Sequence, residues 1–263
     1  MESTCLRHLQ SVREKNPLVQ SITNYVAMNN SANALLALGA SPIMAHAQAE
    51  VKDMVKIVGA LVINIGTLDE YWVESMLMAA QAAQEYGTPW VLDPVGAGAT
   101  PYRDKVLRQL LSYQPNIIRG NASEILALNQ SKSNTKGVDS TDSAEAALEA
   151  GKSLSQQHKT VICISGATDF VIQAEDIVKI ENGDPMMAKV TGMGCTASAL
   201  VGAFAAIGPA FEAAYSAMTV MGVSGELAAG EAKGPGSLQM HFYDALYRLD
   251  EQQLINHMKV SRL

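Results

Sequence analysis

Between Lys189 and Cys195 the chain reads Lys-Val-Thr-Gly-Met-Gly-Cys, then continues without a charged side chain to Glu212. Gly192 and Gly194 let the backbone come close to a ligand. A helix opening here would offer unpaired N–H groups and the positive end of its dipole. That combination suits an anion, with a transferring phosphoryl group the natural candidate; two glycines so spaced can also serve only a tight turn. Met193 brings no polar side-chain atom between them. Cys195 falls at or next to the expected helix start, where a thiol pKa tends to fall and a thiolate could act as base or nucleophile. The alternative is a buried, inert thiol. Gly151-Lys152-Ser153 is not a phosphate-binding loop of the Walker type, because Ala146 occupies the place of its first glycine and no strand precedes it.

Other groups point the same way. Asp93-Pro-Val-Gly96-Ala-Gly98 closes an apolar run; its carboxylate could hold Mg²⁺ through water, and its glycines leave room beside phosphates. Pro101 stands where a dinucleotide motif would need its third glycine. Asn121-Ala-Ser-Glu124 reads either as a capping box or as a carboxylate that positions Mg²⁺ near a nucleotide. Arg119 is a natural phosphate clamp, or an ordinary surface arginine. The five histidines show no metal-ligand spacing, and His46 reads as core or lining. Met44 could shape an apolar pocket.

These residues need a frame. Ala60–Gly66, Pro89–Asp93, Asn116–Arg119 and Thr160–Ser165 read as buried strands, with a hairpin at 170–172 and 177–180. Helices are expected from a Thr67-x-x-Glu70 box to about Tyr86, from Thr100-Pro101 to about Ser112, from Asn121, and from Asp142 to about His158. After Gly194 the reading is helical throughout: Cys195–Ala206, Ala210–Ala229 and Leu238–His257. Ser131–Asp142 is the one soft, polar loop. This alternation predicts an α/β chain, with a mainly parallel central sheet and helices on both faces. In such sheets ligands bind outside the carboxyl ends of the strands. Gly66-Thr67, Asp93-Pro94, Arg119-Gly-Asn121 and Ser165-Gly-Ala-Thr-Asp169 are therefore expected to converge.

The 263 residues are expected to form one domain over residues 1–263, large enough to need no disulfide or metal staple. Hydrophobic residues make up 48% and charged residues only 17%, which excludes disorder and suggests hidden surface. The balance of 19 basic against 26 acidic residues argues against nucleic acid or anionic lipid as partner. Asn16–Ala49 and Val190–Phe211 lack charge but carry too many amides, glycines and a proline to span a membrane, so both are expected as buried walls. Three unpaired cysteines and no leader-like N-terminus point to a reducing, cytoplasmic setting; Cys163 reads as structural.

In order and spacing the chain resembles the hydroxyethylthiazole kinases of the ribokinase-like superfamily. The matching segments are Asn16-Pro-Leu-Val with Ile22-Thr-Asn24-Tyr-Val, Leu36-Ala-Leu-Gly-Ala-Ser-Pro-Ile-Met44, Ile63-Asn-Ile-Gly-Thr67 and Trp90-Val-Leu-Asp-Pro-Val95. They continue with Ile118-Arg-Gly-Asn-Ala-Ser-Glu124, Thr191-Gly-Met-Gly-Cys195 and Gly234-Pro-Gly-Ser237, covering about residues 16–250. The resemblance implies a three-layer ribokinase-like fold and transfer of the ATP γ-phosphate to the primary alcohol of 4-methyl-5-(2-hydroxyethyl)thiazole, with Mg²⁺ as cofactor. A kinase of a related alcohol, such as hydroxymethylpyrimidine, is the alternative. It also implies Cys195 beside the acceptor hydroxyl, where most of the superfamily has an aspartate base, and an anion hole from Gly192, Met193, Gly194 and Cys195. Arg119, Asn121 and Ser165 match ATP positions, Asp93 and Glu124 match metal positions, and Asn24, Met44, Gly66 and Gly192 match the thiazole pocket. The family pattern implies a homotrimer with its sites at subunit boundaries. Met193 departs from it, since threonine is usual between the two glycines, and Ser165 stands where threonine is frequent.

Overall fold

The computed structural model describes residues 1–130 and 143–263; the loop expected at Ser131–Asp142, with its Asp142 cap, lies outside the described residues. The elements run α1 (Glu2–Lys15), β1 (Leu18–Ile22), α2 (Met28–Leu38), β2 (Ser41–Ile43), α3 (Val51–Ile57), β3 (Ala60–Asn64), α4 (Glu70–Tyr86) and β4 (Trp90–Asp93). Then come α5 (Pro101–Leu111), β5 (Ile117–Asn121), α6 (Ala122–Gln130), α7 (Ser143–His158), β6 (Val161–Ser165), β7 (Asp169–Gln173) and β8 (Asp176–Ile180). A 3-10 turn at Pro185–Lys189 leads to α8 (Met193–Ala205), α9 (Ala210–Glu231), α10 (Pro235–Arg248), α11 (Glu251–His257) and β9 (Val260–Arg262).

The strands form one sheet in the order β2-β1-β3-β4-β5-β6-β7-β8-β9. The first six are parallel, and β7, β8 and β9 add an antiparallel edge. Coverage on both faces explains the near-continuous apolar strands: every residue of β3 and β4 is buried. Alternate side chains feed opposite cores. Val62 and Val91 join Leu200 and Phe204 on the face of α8 and α9, while Leu61, Ile63, Trp90 and Leu92 pack on the other face with Trp72 of α4 and Leu107 of α5. The charge-free stretch at 190–211 is largely α8, buried along nearly its whole length. Among the described residues no helix is long and apolar enough to cross a membrane.

Several expectations about elements need correction. The helix read over Leu238–His257 is two helices, broken at Leu249-Asp250. Asp250 caps α11 by accepting from Gln253 N (2.8 Å), and Gln253 Oε1 accepts from Asp250 N (3.2 Å). Thr67 does not cap α4. Asp69 does, accepting from Trp72 N (2.9 Å), while Thr67 Oγ1 accepts from Tyr25 N (3.2 Å). Thr100 and Pro101 open α5 as read. In the charge-free stretch 16–49, β1, α2 and β2 offer too little polar–apolar contrast to be read, while α1, the short α3 and the three-residue edge strand β9 also escape the sequence reading.

Phe204 is wholly buried on α8 against the sheet. Phe204→Ala is expected to lower unfolding free energy by about 3–5 kcal/mol, read from urea melts; a loss below about 1 kcal/mol would contradict this packing.

Candidate active site

Parallel pairing puts the carboxyl ends of β1, β3, β4, β5 and β6 side by side, and the register aligns Asn64 with Asp93 and Asn121 with Ser165. Asp93 is 1% exposed. Its Oδ2 accepts from Asn64 Nδ2 (2.7 Å) and from Ser198 Oγ on α8 (2.7 Å). Its Oδ1 is buried without a partner. Burial pushes the Asp93 carboxyl up to about 6, against the opposing pull of Arg119 and the hydrogen bonds from Ser198 and Asn64.

Beside it lies the thiol. Asn24, just past β1, donates from Nδ2 to Asn64 Oδ1 (2.8 Å) and to Cys195 Sγ (3.2 Å). Gly66 covers this amide so closely that a Cβ there would meet Asn24 Nδ2 at 2.7 Å, which explains why no side chain stands at 66. Cys195 is the third residue of α8 rather than its cap; the N-cap is Gly192, at φ 78°, a conformation glycine adopts without strain. The expectation of a lowered thiol pKa is corrected by the surroundings. Burial first, and the Asp93 carboxylate second, push the Cys195 thiol up, against the N–H of Asn24. The helix end is present, but desolvation outweighs it.

On the other side of α8, Arg119 is 8% exposed. It donates from Nη1 to Gly194 O (2.8 Å) and from Nη2 to Ser165 Oγ (2.6 Å), while its Nε is buried and unpartnered. The surface-arginine alternative is therefore excluded. A cleft of about 490 Å³ opens here, lined by Arg119, Ser165, Asp169, Met193 and Gly194 and walled by Met218 and Met221. Burial pushes the Asp169 carboxyl in this wall up to about 6, partly offset by its bond from Gly166 N.

Asn121 and Glu124 do form a capping box: Asn121 Oδ1 accepts from Glu124 N (2.9 Å), and Glu124 Oε2 accepts from Asn121 N (2.8 Å). Glu124 Oε1 also accepts from Gly96 N (3.0 Å). Gly98 N donates to Asp104 (2.9 Å) and Ala97 N to Pro94 O (2.9 Å). The backbone N–H groups of this loop are thus taken by the protein's own acceptors. Met44 is not brought into the Asn24–Asn64–Asp93 group. It follows the edge strand β2, with β1 between it and β3, and its carbonyl pairs with His46 Nδ1 (3.1 Å). The ring of His46 packs on Trp72, as does that of Tyr25. Cys163 is fully buried in β6 and its thiol is pushed up to about 12 by burial, as a structural cysteine should be.

Three participants escaped the sequence reading. Asn64, a lone amide in an apolar strand two residues before Gly66, was findable on that ground. Ser198 lies one helical turn beyond Cys195 and so shares its face. Arg103 carried no signal; it donates to Ile65 O (2.6 Å), Val95 O (2.8 Å) and Gly66 O (2.9 Å), tying together the loops after β3 and β4.

With its nine-stranded, mainly parallel sheet covered by helices on both faces, the fold is ribokinase-like. A ribokinase-like superfamily protein of Enterococcus faecalis V583 shares it with a TM-score of 0.61 at 14% identity, over 87% of this chain and 86% of that one. The hydroxyethylthiazole kinase protein of Pyrococcus horikoshii OT3 matches with a TM-score of 0.94 and 41% identity over 99% of both chains. The hydroxyethylthiazole kinase of Leptospira biflexa serovar Patoc is 58% identical over 247 residues, 93% of this chain and 92% of its own. The sequence pattern of the hydroxyethylthiazole kinase family covers residues 9–252, and the chain belongs to that family.

Asp93 yields a stability test. A carboxyl with a folded pKa of about 6 and a free value of 3.8 binds its proton more tightly in the folded state. Its favourable contribution is complete below the free value and is lost as pH rises through the folded one, a change of roughly 3 kcal/mol. In cation-free buffer Asp93→Asn is expected to melt above the parent at about pH 8, with the gap closing toward about pH 4. A variant melting below the parent at the higher pH would contradict the buried charge.

Proposed function

We infer that the chain transfers the γ-phosphoryl group of ATP to the primary hydroxyl of 4-methyl-5-(2-hydroxyethyl)thiazole, at the start of α8. Family membership carries the activity. The observation that carries the placement is Cys195 held against Asn24 at the first turn of α8, with the Arg119 cleft on the other side of the same turn. ATP lies in that cleft, its phosphates reaching Arg119 and Ser165, with Asn121 at the neighbouring strand end. The thiazole lies toward Asn24 and Gly66, with Gly192 at its edge; Met44 is assigned to its pocket by the family pattern alone.

Gly194 and Cys195 stand in the first helical turn, where backbone N–H groups have no intrahelical acceptor. With the helix dipole they take up charge developing on the phosphoryl oxygens. Met193 supplies only its backbone, so a threonine hydroxyl plays no part in this chain. The acceptor oxygen bonds to the γ-phosphorus as the bridge to ADP breaks, and the hydroxyl proton passes to a phosphoryl oxygen. Because burial holds Cys195 as a neutral thiol, it orients the hydroxyl and is no strong base. A loose transition state places little demand on early proton removal.

The residues present suit Mg²⁺. Asp93 Oδ1 is unpartnered, and each Glu124 oxygen accepts one backbone N–H and keeps a free lone pair. Among the described residues no three His, Cys, Asp or Glu side chains gather into a metal site. A cation held by two carboxylates would take its remaining ligands from phosphate oxygens and water. When bound it neutralises phosphate charge.

Tyr25 and Val26, next to Asn24, are 62% and 58% exposed. Large apolar side chains left open beside the acceptor pocket support a homotrimer whose neighbouring subunit completes it. The cysteines support a cytoplasmic setting.

The reading is tested by ADP release from Mg·ATP with and without the thiazole, with the product mass checked. Thiazole-dependent ADP and one added phosphate on the alcohol are expected; ATP turnover unaffected by the thiazole would refute it. Cys195→Ala should keep its melting temperature and lose about 10²-fold in kcat. Turnover equal to the parent would remove the role given to Cys195.

A further inference from the structure

We propose that Asn64 is a positioning residue for the transfer step: it fixes the Asn24 amide against the Cys195 sulfur and leaves one chosen oxygen of Asp93 free. The inference deepens the thiazole-kinase reading of this site and rests on it.

Asn64 ends β3, between the strand that leads to Asn24 and the strand that ends in Asp93, and is 1% exposed. Both ends of its amide are committed. Oδ1 accepts from Gly66 N (2.9 Å) and Asn24 Nδ2 (2.8 Å), and Nδ2 donates to Asp93 Oδ2 (2.7 Å). A backbone N–H can only donate, so the atom facing Gly66 must be the oxygen and the opposite atom the nitrogen. Asn24 is oriented by the same logic. Ala27 N donates to its Oδ1 (2.9 Å), so its nitrogen faces Asn64 and Cys195. Two backbone N–H groups thus set the direction of the whole series.

That direction has chemical consequences at both ends. Toward Asn24 the Cys195 sulfur is an acceptor, so the thiol hydrogen points elsewhere and is available to the acceptor alcohol. At the other end Asp93 Oδ2 is occupied by Asn64 and Ser198, which makes Oδ1 the free oxygen. One buried amide therefore couples the alcohol side of the site to the phosphate side. Asn64 is shielded from solvent and acts on the substrates only through its neighbours.

Asn64→Leu keeps size and burial and removes all three bonds. With the parent turning over in the presence of the thiazole, the variant is expected to lose about 10²-fold in kcat, as for a displaced reacting group. Its affinity for ATP, measured by equilibrium binding without Mg²⁺, should stay within about twofold, because Arg119 and Ser165 are untouched. The rate at which iodoacetamide alkylates Cys195 in the folded variant should change several-fold as the sulfur loses its fixed N–H. A merely structural role would lower the melting temperature and leave kcat and alkylation where they were, and that pattern would overturn the proposal. So would a loss confined to ATP affinity. Asn64→Ser serves as the second variant, and failure of both to fold would assign Asn64 to the scaffold and likewise overturn it. A parent without thiazole-dependent turnover would instead remove the kinase reading itself.

Discussion

A carboxylate taken out of water in the middle of a sheet must be held by hydrogen bonds or lose its charge, and Asp93 is held by two. Asn64 reaches it from β3 and Ser198 from α8, and the side chain is almost wholly buried. That requirement fixes the spacing of β3, β4 and α8. It also fixes where the first turn of α8 lies, and hence where its free N–H groups point. One oxygen stays without a protein partner, which in a buried setting costs stability. Burial raises this carboxyl to about 6 despite the two bonds.

From that anchor the site divides into two halves joined through α8. Arg119 grips the Gly194 carbonyl and the Ser165 hydroxyl on the cleft side, and Asn24 grips the Cys195 sulfur on the other. A neutral thiol at this junction accords with a reaction driven by placement and electrostatics rather than by a strong base. Arg103 does comparable work outside the site, with three carbonyls from the β3 and β4 loops on one guanidinium. The loop around Gly96 is satisfied internally by Glu124, which also closes the capping box with Asn121.

Much of this was legible in the chain. Apolar runs at 60–66, 89–93 and 160–165 announced the parallel strands, and the rule that ligands bind at their carboxyl ends gathered Gly66, Asp93, Arg119 and Ser165 before any coordinates. Local spacing also found the Asn121–Glu124 box. What stayed hidden depended on three dimensions or on weak contrast. The charge-free stretch Asn16–Ala49 offers little polar–apolar contrast. The Asp250–Gln253 box interrupts a pattern that reads as one helix. The thiol's pKa follows from the depth of burial and the neighbouring carboxylate, which no spacing encodes. Asn64 was visible as an amide in an apolar strand, but its three partners come from separate segments.

The central claim is that alcohol and γ-phosphate meet at the first turn of α8. A crystal structure with hydroxyethylthiazole and a non-hydrolysable ATP analogue tests it most directly. The account predicts the alcohol oxygen about 3–3.5 Å from the γ-phosphorus position, in contact with Cys195 Sγ, with the phosphate oxygens on the N–H groups of Gly194 and Cys195. A thiazole bound away from Asn24 and Cys195, or phosphates away from that helix start, would contradict it.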